Sequence, residues 1–356
     1  MVNYHISENL AKIKFPSTRY QGSKLKLLPW LKPFFIEIKF DSVLDAFGGT
    51  GVMSFLFKSL GKRVIYNDYL VSNFYIGKAL IENKSVRFNL NKIDDLFQVK
   101  PNIFYKDFIQ NTFRGIYYTD EENKILDIVV QNIMRLENVY EKSLCYFALF
   151  QACLQKRPFN LFHRKNLNLR FNEVRRSFGN KRTWDTPIQQ LFTQALKQGN
   201  ESIFDNRRKN QALNFNIFDF NTTSDGFDLI YCDPPYISKN GVGIDYHSYY
   251  HFLEGLCHYE QWPSLIDYQS RHRRLIPIKN NWNDSKNVLL VFDRLFNKFQ
   301  EITIVVSYRN PGIPSIRELI EVLGSYKKNI NVSRTPYKYA LTSKKNQTYE
   351  VLIIGQ

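Results

Sequence analysis

The sequence predicts an α/β fold in which a mostly parallel sheet, with helices on both faces, carries an inserted, mainly helical segment. Two observations carry this. Short apolar runs that end in Asp, Asn or Gly recur along the chain, with helix-length segments between several of them. By contrast, about 140 residues between Asp68 and Leu213 show mostly helical periodicity, as in "EENKILDIVVQNIMRLENVY" from Glu121 to Tyr140.

In chain order, "SVLDAF" (42–47) reads as the first strand, and Val52 to Leu60 has the length of a following helix. "RVIYND" (63–68) is the second strand, after which the helical stretch begins. Strand patterning returns at "LNFNIFDF" (213–220) and "FDLIYCD" (227–233). Val288 to Phe299 reads as a helix before "ITIVVSY" (302–308), and "YEVLIIG" (349–355) closes the set. This assigns residues 1–75 and 211–356 to the sheet domain and 76–210 to the inserted helical domain. The polar "TSKKNQT" (342–348) reads as a hairpin loop.

Lys and Arg number 49 against 33 Asp and Glu, a net charge of +16, while the 15% aromatic content argues against a disordered basic tail. A folded binder of polyanions is the class these numbers favour. Half of the excess sits in residues 156–182, where nine basic residues (Lys156, Arg157, Arg164, Lys165, Arg170, Arg175, Arg176, Lys181, Arg182) face one acid, Glu173. Asn160, Asn166, Asn168, Asn172 and Asn180 are interleaved with them, and Asn with Arg suits base edges and phosphates. Cys145, Cys153, Cys232 and Cys257 lack CxxC spacing, and the histidines lack a metal-ligand pattern, so neither a disulfide framework nor a metal site is expected. "LCYFALFQACL" (144–154) is too short to span a bilayer and no N-terminal apolar run precedes it, which predicts a cytoplasmic protein without membrane partners.

Three stretches carry chemistry. In "VLDAFGGTGVMSFLF", a strand ending in Asp45 meets Gly48, Gly49 and Gly51 and then a helix, a turn that lets backbone approach a ligand closely. Its spacing is not GxGxxG and it lacks Lys, which points to a nucleoside-type cofactor without a phosphate chain. Asp68, at the end of the next strand, can accept hydrogen bonds from ribose hydroxyls. The second stretch, Asp233-Pro234-Pro235-Tyr236, follows a strand directly. Proline stiffens the exit and biases Asp233 away from helical geometry, so a carboxylate, carbonyls and a ring converge on a planar group bearing an amino donor. The third, "RYQGSKLKLLPWL", sets Tyr20, Gly22 and Lys24 ahead of an amphipathic helix.

Together these motifs resemble the S-adenosylmethionine-dependent DNA adenine methyltransferases of the Dam-like alpha group. "RYQGSK" resembles the family's N-terminal cofactor motif, "DAFGGTG" its glycine motif, "YND" its second-strand acid and "DPPY" its catalytic motif. "SYR" (307–309) and "YEVLIIG" match in kind and order, and "DF" (219–220) resembles the pair flanking the cofactor adenine. The resemblance implies a Rossmann-like methyltransferase sheet whose helical insert reads DNA. It implies that Tyr20, Lys24, Asp45, Phe47, Gly49, Gly51 and Asp68 line the cofactor and that Asp219 and Phe220 flank its adenine. Asp233 would bridge cofactor and substrate, with Pro234, Pro235 and Tyr236 completing the catalytic set and Tyr236 stacking on a flipped base.

The implied reaction is direct transfer of a methyl group to the adenine amino nitrogen in double-stranded DNA, within a prokaryotic restriction-modification system that could include a separate cognate endonuclease. DNA contacts are expected from Arg164, Lys165, Arg170, Arg175, Arg176, Lys181, Arg182, Lys239, Arg271 and Arg273. The ring-rich "IDYHSYYHFLEGL" (244–256) is a candidate cover for the flipped base, with core packing as the other reading, and Lys239 and Asn240 are expected on a loop that orders on DNA. Two other functions fit the same motifs: methylation of an RNA adenine, and a catalytically inactive DNA-binding module.

Overall fold

A computed structural model describes residues 14–172, 181–220, 226–338 and 347–356. The strands are β1 (Ser42–Asp45), β2 (Arg63–Asn67), β3 (Gln211–Leu213), β4 (Leu229–Cys232), β5 (Thr303–Asn310), β6 (Ile330–Pro336) and β7 (Tyr349–Gly355). They make one seven-stranded sheet in the order β3-β2-β1-β4-β5-β7-β6. Every pair from β3 through β5 is parallel, and β7 inserts antiparallel between β5 and β6. β1 and β4 are buried on every residue because both faces of a central parallel strand are covered.

The chain runs from β1 outward to β2 and β3, and from β4 outward the other way to β5. β1 and β4 are therefore neighbours at the point where strand order reverses, with Asp45 in register with Tyr231. Crevices at such switch points, outside the carboxyl ends of the strands, are where open α/β sheets bind ligands.

Two expectations on the sheet change. Residues 214–220 leave the sheet instead of extending it: Asn216 accepts the Phe218 N–H on its side chain (3.1 Å) and the Asp219 N–H on its carbonyl (2.9 Å), closing a turn. β6 escaped the sequence reading because it is an edge strand with no buried residue, so it carries no apolar run. Residues 342–346 of the expected hairpin loop lie outside the described residues, and on either side β6 and β7 pair from Ile330↔Gly355 to Pro336↔Tyr349.

By compactness the chain divides into two units. The sheet belongs to the unit made of Gln21–Tyr69, Asn206–Tyr246 and Ile278–Gln356. Helices Val52–Ser59, Val288–Lys298 and Ile316–Gly324 accompany it, the last started by a capping box in which Ser315 and Glu318 satisfy each other's backbone N–H. The other unit takes Met1–Tyr20, Leu70–Asp205 and His247–Pro277, so it holds most of the segment read as the insert together with two stretches outside it.

In that helical unit, Thr119 and Glu122 form a capping box at the start of helix Asp120–Met134. Asn138 caps the next helix, Val139–Gln155, whose middle is buried all round. Helix Ile188–Glu201 approaches it closely at Gly199, where an added Cβ would lie 3.3 Å from the Phe147 ring. Phe113, Tyr117, Phe162, Phe252 and Trp262 form a buried ring cluster in the same unit. Phe252 and Tyr250 are fully buried, so these rings of the 244–256 stretch are core and not a cover for a base.

Candidate active site

Three acids stand at the carboxyl ends of β1, β2 and β4: Asp45, Asp68 and Asp233. The glycine turn after β1 is fixed by its neighbour. Gly48 donates its N–H to the Asn67 carbonyl (2.8 Å), Gly49 donates to Asp68 Oδ2 (2.8 Å), and the Tyr66 hydroxyl donates to the Gly49 carbonyl (2.7 Å). Gly49 and Gly51 sit at φ 53° and 79°, and a Cβ on Gly48 would lie 2.1 Å from the Tyr66 ring, so the turn requires glycine for conformation and for space. Gly51 is the residue from which helix Val52–Ser59 starts.

Asp45 is 1% exposed. Its Oδ2 accepts from the Ser54 hydroxyl (2.7 Å), while Oδ1 is buried without a partner. Burial, with smaller pushes from Asp233 and Asp68 against the pull of Ser54, raises its pKa to about 7. An orphaned, costly carboxylate oxygen beside a glycine turn fits a ligand that brings a hydrogen-bond donor and no phosphate.

Asn67, not singled out from the sequence, stitches the strand ends together: its Nδ2 donates to the carbonyls of Ala46 and Phe215 (3.2 Å each), and its Oδ1 accepts from the Phe215 N–H (3.0 Å). Phe47 meets Trp282 edge-on at 5.0 Å, and Phe218 stacks on the same indole at 6.2 Å. Asp219 is exposed, whereas Phe220 packs into the core with Phe227.

The proline-bounded exit from β4 leads into a network. The Asp233 side chain is 17% exposed, and its Oδ1 receives Lys24 Nζ at 2.7 Å. Lys24 also reaches Glu350 Oε1 (3.0 Å) and donates to the Tyr236 hydroxyl. That hydroxyl lies 2.7 Å from Asp233 Oδ1 and 2.9 Å from Glu350 Oε1. Burial works against the charge on Lys24, but the two carboxylates outweigh it and hold its pKa above the ordinary value. Asp233 is pushed up by burial and by Glu350, with Lys24 pulling the other way. The Tyr236 ring is buried and meets Tyr308 edge-on at 5.0 Å.

Beyond Tyr236 the chain closes into a tight turn. Ile237 bridges Gly243, Ser238 and Val242 exchange a hydrogen bond (2.9 Å), and Gly241 takes φ 78°. Lys239 and Asn240 stand exposed at its tip. Tyr20 belongs to the helical unit, where it stacks on Tyr250 at 4.4 Å and accepts from Asn73 (3.1 Å).

The basic segment divides in two. Arg164, Lys165, Lys181, Arg182 and Arg271 are exposed, and Arg273 is half-buried with its guanidinium against Tyr268. Arg175 and Arg176 lie outside the described residues. Arg170 corrects the expectation of a DNA contact: it is 5% exposed and grips Glu122 with both terminal nitrogens, at 2.6 and 2.8 Å. Lys156 reaches the same carboxylate (2.7 Å), and Arg157, stacked on the Tyr117 ring at 4.3 Å, donates to the carbonyls of Leu161 and Arg164. Among the described residues no cluster of His, Cys, Asp or Glu could hold a metal, and no helix is long and apolar enough to cross a membrane.

Known proteins share sequence with most of this chain. The Type II methyltransferase M2.HphI of Haemophilus parahaemolyticus is 27% identical over 340 residues, which cover 94% of this chain and 95% of that protein. Modification methylase StsI of Streptococcus sanguinis and the Type II methyltransferase M.FokI of Planomicrobium okeanokoites are 26% and 24% identical. Those alignments take 95% and 94% of this chain but only 52% and 51% of the relatives, so the chain spans about half their length. A sequence model of one family matches residues 20–302, which include Lys24, the glycine turn, Asp68 and Asp233 through Tyr236. The chain belongs to that family, the D12 class of N6 adenine-specific DNA methyltransferases.

Proposed function

We propose that Asp233 and the Pro234 carbonyl receive the amino group of an adenine flipped out of duplex DNA, and that S-adenosylmethionine is the methyl donor. The observation that carries this is the position of Asp233: a partly exposed carboxylate at the carboxyl end of β4, one strand from the glycine turn, at the switch point of the sheet. Asp45, Phe47, Gly49, Gly51 and Asp68 would hold the cofactor, the orphaned Asp45 oxygen taking a donor from it. Bound there, it supplies an electrophilic methyl on a sulfonium.

An adenine amino nitrogen is a weak nucleophile because its lone pair is delocalised into the ring. Two acceptors on its hydrogens favour a pyramidal nitrogen whose lone pair is free to attack, and Lys24 favours the anionic form of the Asp233 acceptor against the burial that raises its pKa. Cys232 has no part in this chemistry: it is fully buried, and burial drives its thiol pKa well up. Tyr236, fixed at its hydroxyl and along its edge, is a rigid wall for the base, and stacking there offsets part of an unstacking cost of a few kcal/mol. Arg164, Lys165, Lys181, Arg182, Arg271 and Lys239 would contact phosphates.

The names of the relatives, Type II methyltransferase and modification methylase, support reading the chain as the modification half of a restriction-modification system, whose cognate endonuclease would be a separate protein. The test is modification-sensitive sequencing of DNA from cells expressing the wild type or Asp233→Ala. We expect one sequence motif methylated at adenine N6, and only with Asp233 intact; adenine methylation that survives Asp233→Ala, or none from the wild type, overturns the reading.

A further inference from the structure

Glu350 has no place in the reaction as described, and its surroundings are expensive. It is fully buried on β7, in a strand that continues through Val351, Leu352, Ile353 and Ile354. Burying a carboxylate is costly unless it is paired. Three donors converge on its Oε1: Lys24 Nζ at 3.0 Å, the Tyr236 hydroxyl at 2.9 Å and the Ser307 hydroxyl at 2.5 Å.

Lys24 does not need this second acid, since Asp233 already neutralises it at 2.7 Å. With both present, one ammonium serves two carboxylates and the cluster keeps a negative charge. The single proton of the Tyr236 hydroxyl is likewise shared, within hydrogen-bond reach of both acids. Glu350 thus competes with Asp233 for the same cation and the same proton.

We propose that Glu350 is a positioning residue which, through Lys24 and Tyr236, sets how strongly Asp233 accepts the substrate amino group. The inference rests on the reading of Asp233 given above and adds a regulator of its basicity. Charge repulsion across the shared ammonium makes Asp233 a better acceptor than a simple Asp–Lys pair would be, while the ammonium favours its ionised form. The other titratable groups facing Asp233 are Asp45, which pushes in the same direction, and Tyr231, Cys232 and Tyr337, all shifted upward by burial first. Ser307 moderates the effect, because its hydroxyl dipole partly screens the Glu350 charge.

The experiment is single-turnover methyl transfer from labelled S-adenosylmethionine to unmethylated bacterial genomic DNA, followed across the acid pH range, with full-length wild type, Glu350→Gln, Glu350→Asp and Ser307→Ala. Glu350→Gln keeps shape and removes charge, so the acid limb should move down by about one pH unit and the plateau rate fall about tenfold. Glu350→Asp keeps the charge and should keep the limb near wild type despite the missing methylene. Ser307→Ala unmasks the Glu350 charge and should move the limb up by a few tenths of a pH unit. A purely structural Glu350 gives the opposite ranking, with the isosteric Gln milder than Asp and no limb moved; that result overturns the proposal. Should Glu350→Gln fail to fold, an unmoved limb in Ser307→Ala overturns it alone. A wild type that methylates no adenine at any pH overturns the underlying reading, and this inference with it.

Discussion

Asp45→Asn should stabilise the ligand-free protein, and do so more at alkaline than at acid pH. In the folded chain this carboxyl titrates at about 7, against 3.8 in an unperturbed setting. Below 3.8 it is protonated folded or unfolded and contributes nothing. Between 3.8 and about 7 the unfolded chain releases the proton first, so each rise in pH favours unfolding; above 7 the penalty is complete. A difference of about three pH units corresponds to roughly 4 kcal/mol at about pH 8, falling below about 2 kcal/mol at about pH 5. Because Asp45 is 1% exposed, solvent screening removes little of this. Asparagine keeps an oxygen for the Ser54 hydroxyl and carries no charge, so it escapes the penalty; its own orphaned group costs about 1–3 kcal/mol, independent of pH. The gain of Asn over Asp should therefore be larger by about 2–3 kcal/mol at the higher pH, read from urea midpoints of the two proteins at both pH values. The same substitution should weaken S-adenosylmethionine binding, measured by calorimetry, since a site kept at a cost in stability is kept for its ligand. An Asn gain that is equal at both pH values, or a less stable Asn protein at the higher one, refutes the reasoning.

In the helical unit, Glu122→Gln should cost about 3–5 kcal/mol, because it strands the Lys156 and Arg170 cations in a site where all three side chains are mostly buried. Burial opposes the charge on Glu122, but Arg170 and Lys156 hold its pKa below the ordinary 4.5. Its contribution is therefore present at neutral pH and lost only as pH falls through that lowered pKa; a urea midpoint that Glu122→Gln leaves unchanged at neutral pH contradicts this. Arg164→Ala and Lys165→Ala, both exposed, should each reduce the log–log slope of DNA affinity against salt by about 1, measured by fluorescence anisotropy. Arg170→Ala should instead lower the unfolding midpoint.

The three acids stand at strand ends, where the sequence patterning put them. Asp45, Asp68 and Asp233 each follow a short apolar run, and parallel strands bring their carboxyl ends to one side of a sheet whatever the register. Lys24 could be picked out by its motif, but not its engagement with Glu350, which depends on β7 returning antiparallel beside β5 so that Glu350 pairs with Arg309, two residues from Ser307. An acid inside "YEVLIIG" was the available signal, since a charge in an otherwise buried strand must find partners. Residues 214–220 misled for a related reason: "LNFNIFDF" alternates as a strand should, but Asn214 turns its side chain to the carbonyls of Asp68 and Tyr69 and Asn216 caps the local backbone at Phe218, so the strand ends after Leu213.

Charge counting failed at the basic segment because it treats cations as equivalent. A cation presented to phosphate must stay solvated until DNA arrives, whereas one inside a fold needs a carboxylate or carbonyls to replace its water. Lys156, Arg157 and Arg170 meet the second condition through Glu122 and the carbonyls of Leu161, Arg164 and Trp184. Their partners are Glu122 at a helix start, 48 residues before Arg170, and backbone carbonyls in and beside the segment, neither of which local composition reveals. The buried cations therefore brace the stretch that displays Arg164 and Lys165, since the carbonyl of Arg164 itself accepts from Arg157 while its side chain is exposed. In this segment arginine builds the loop from inside and arginine presents charge from outside, and only the position of a counter-group separates the two.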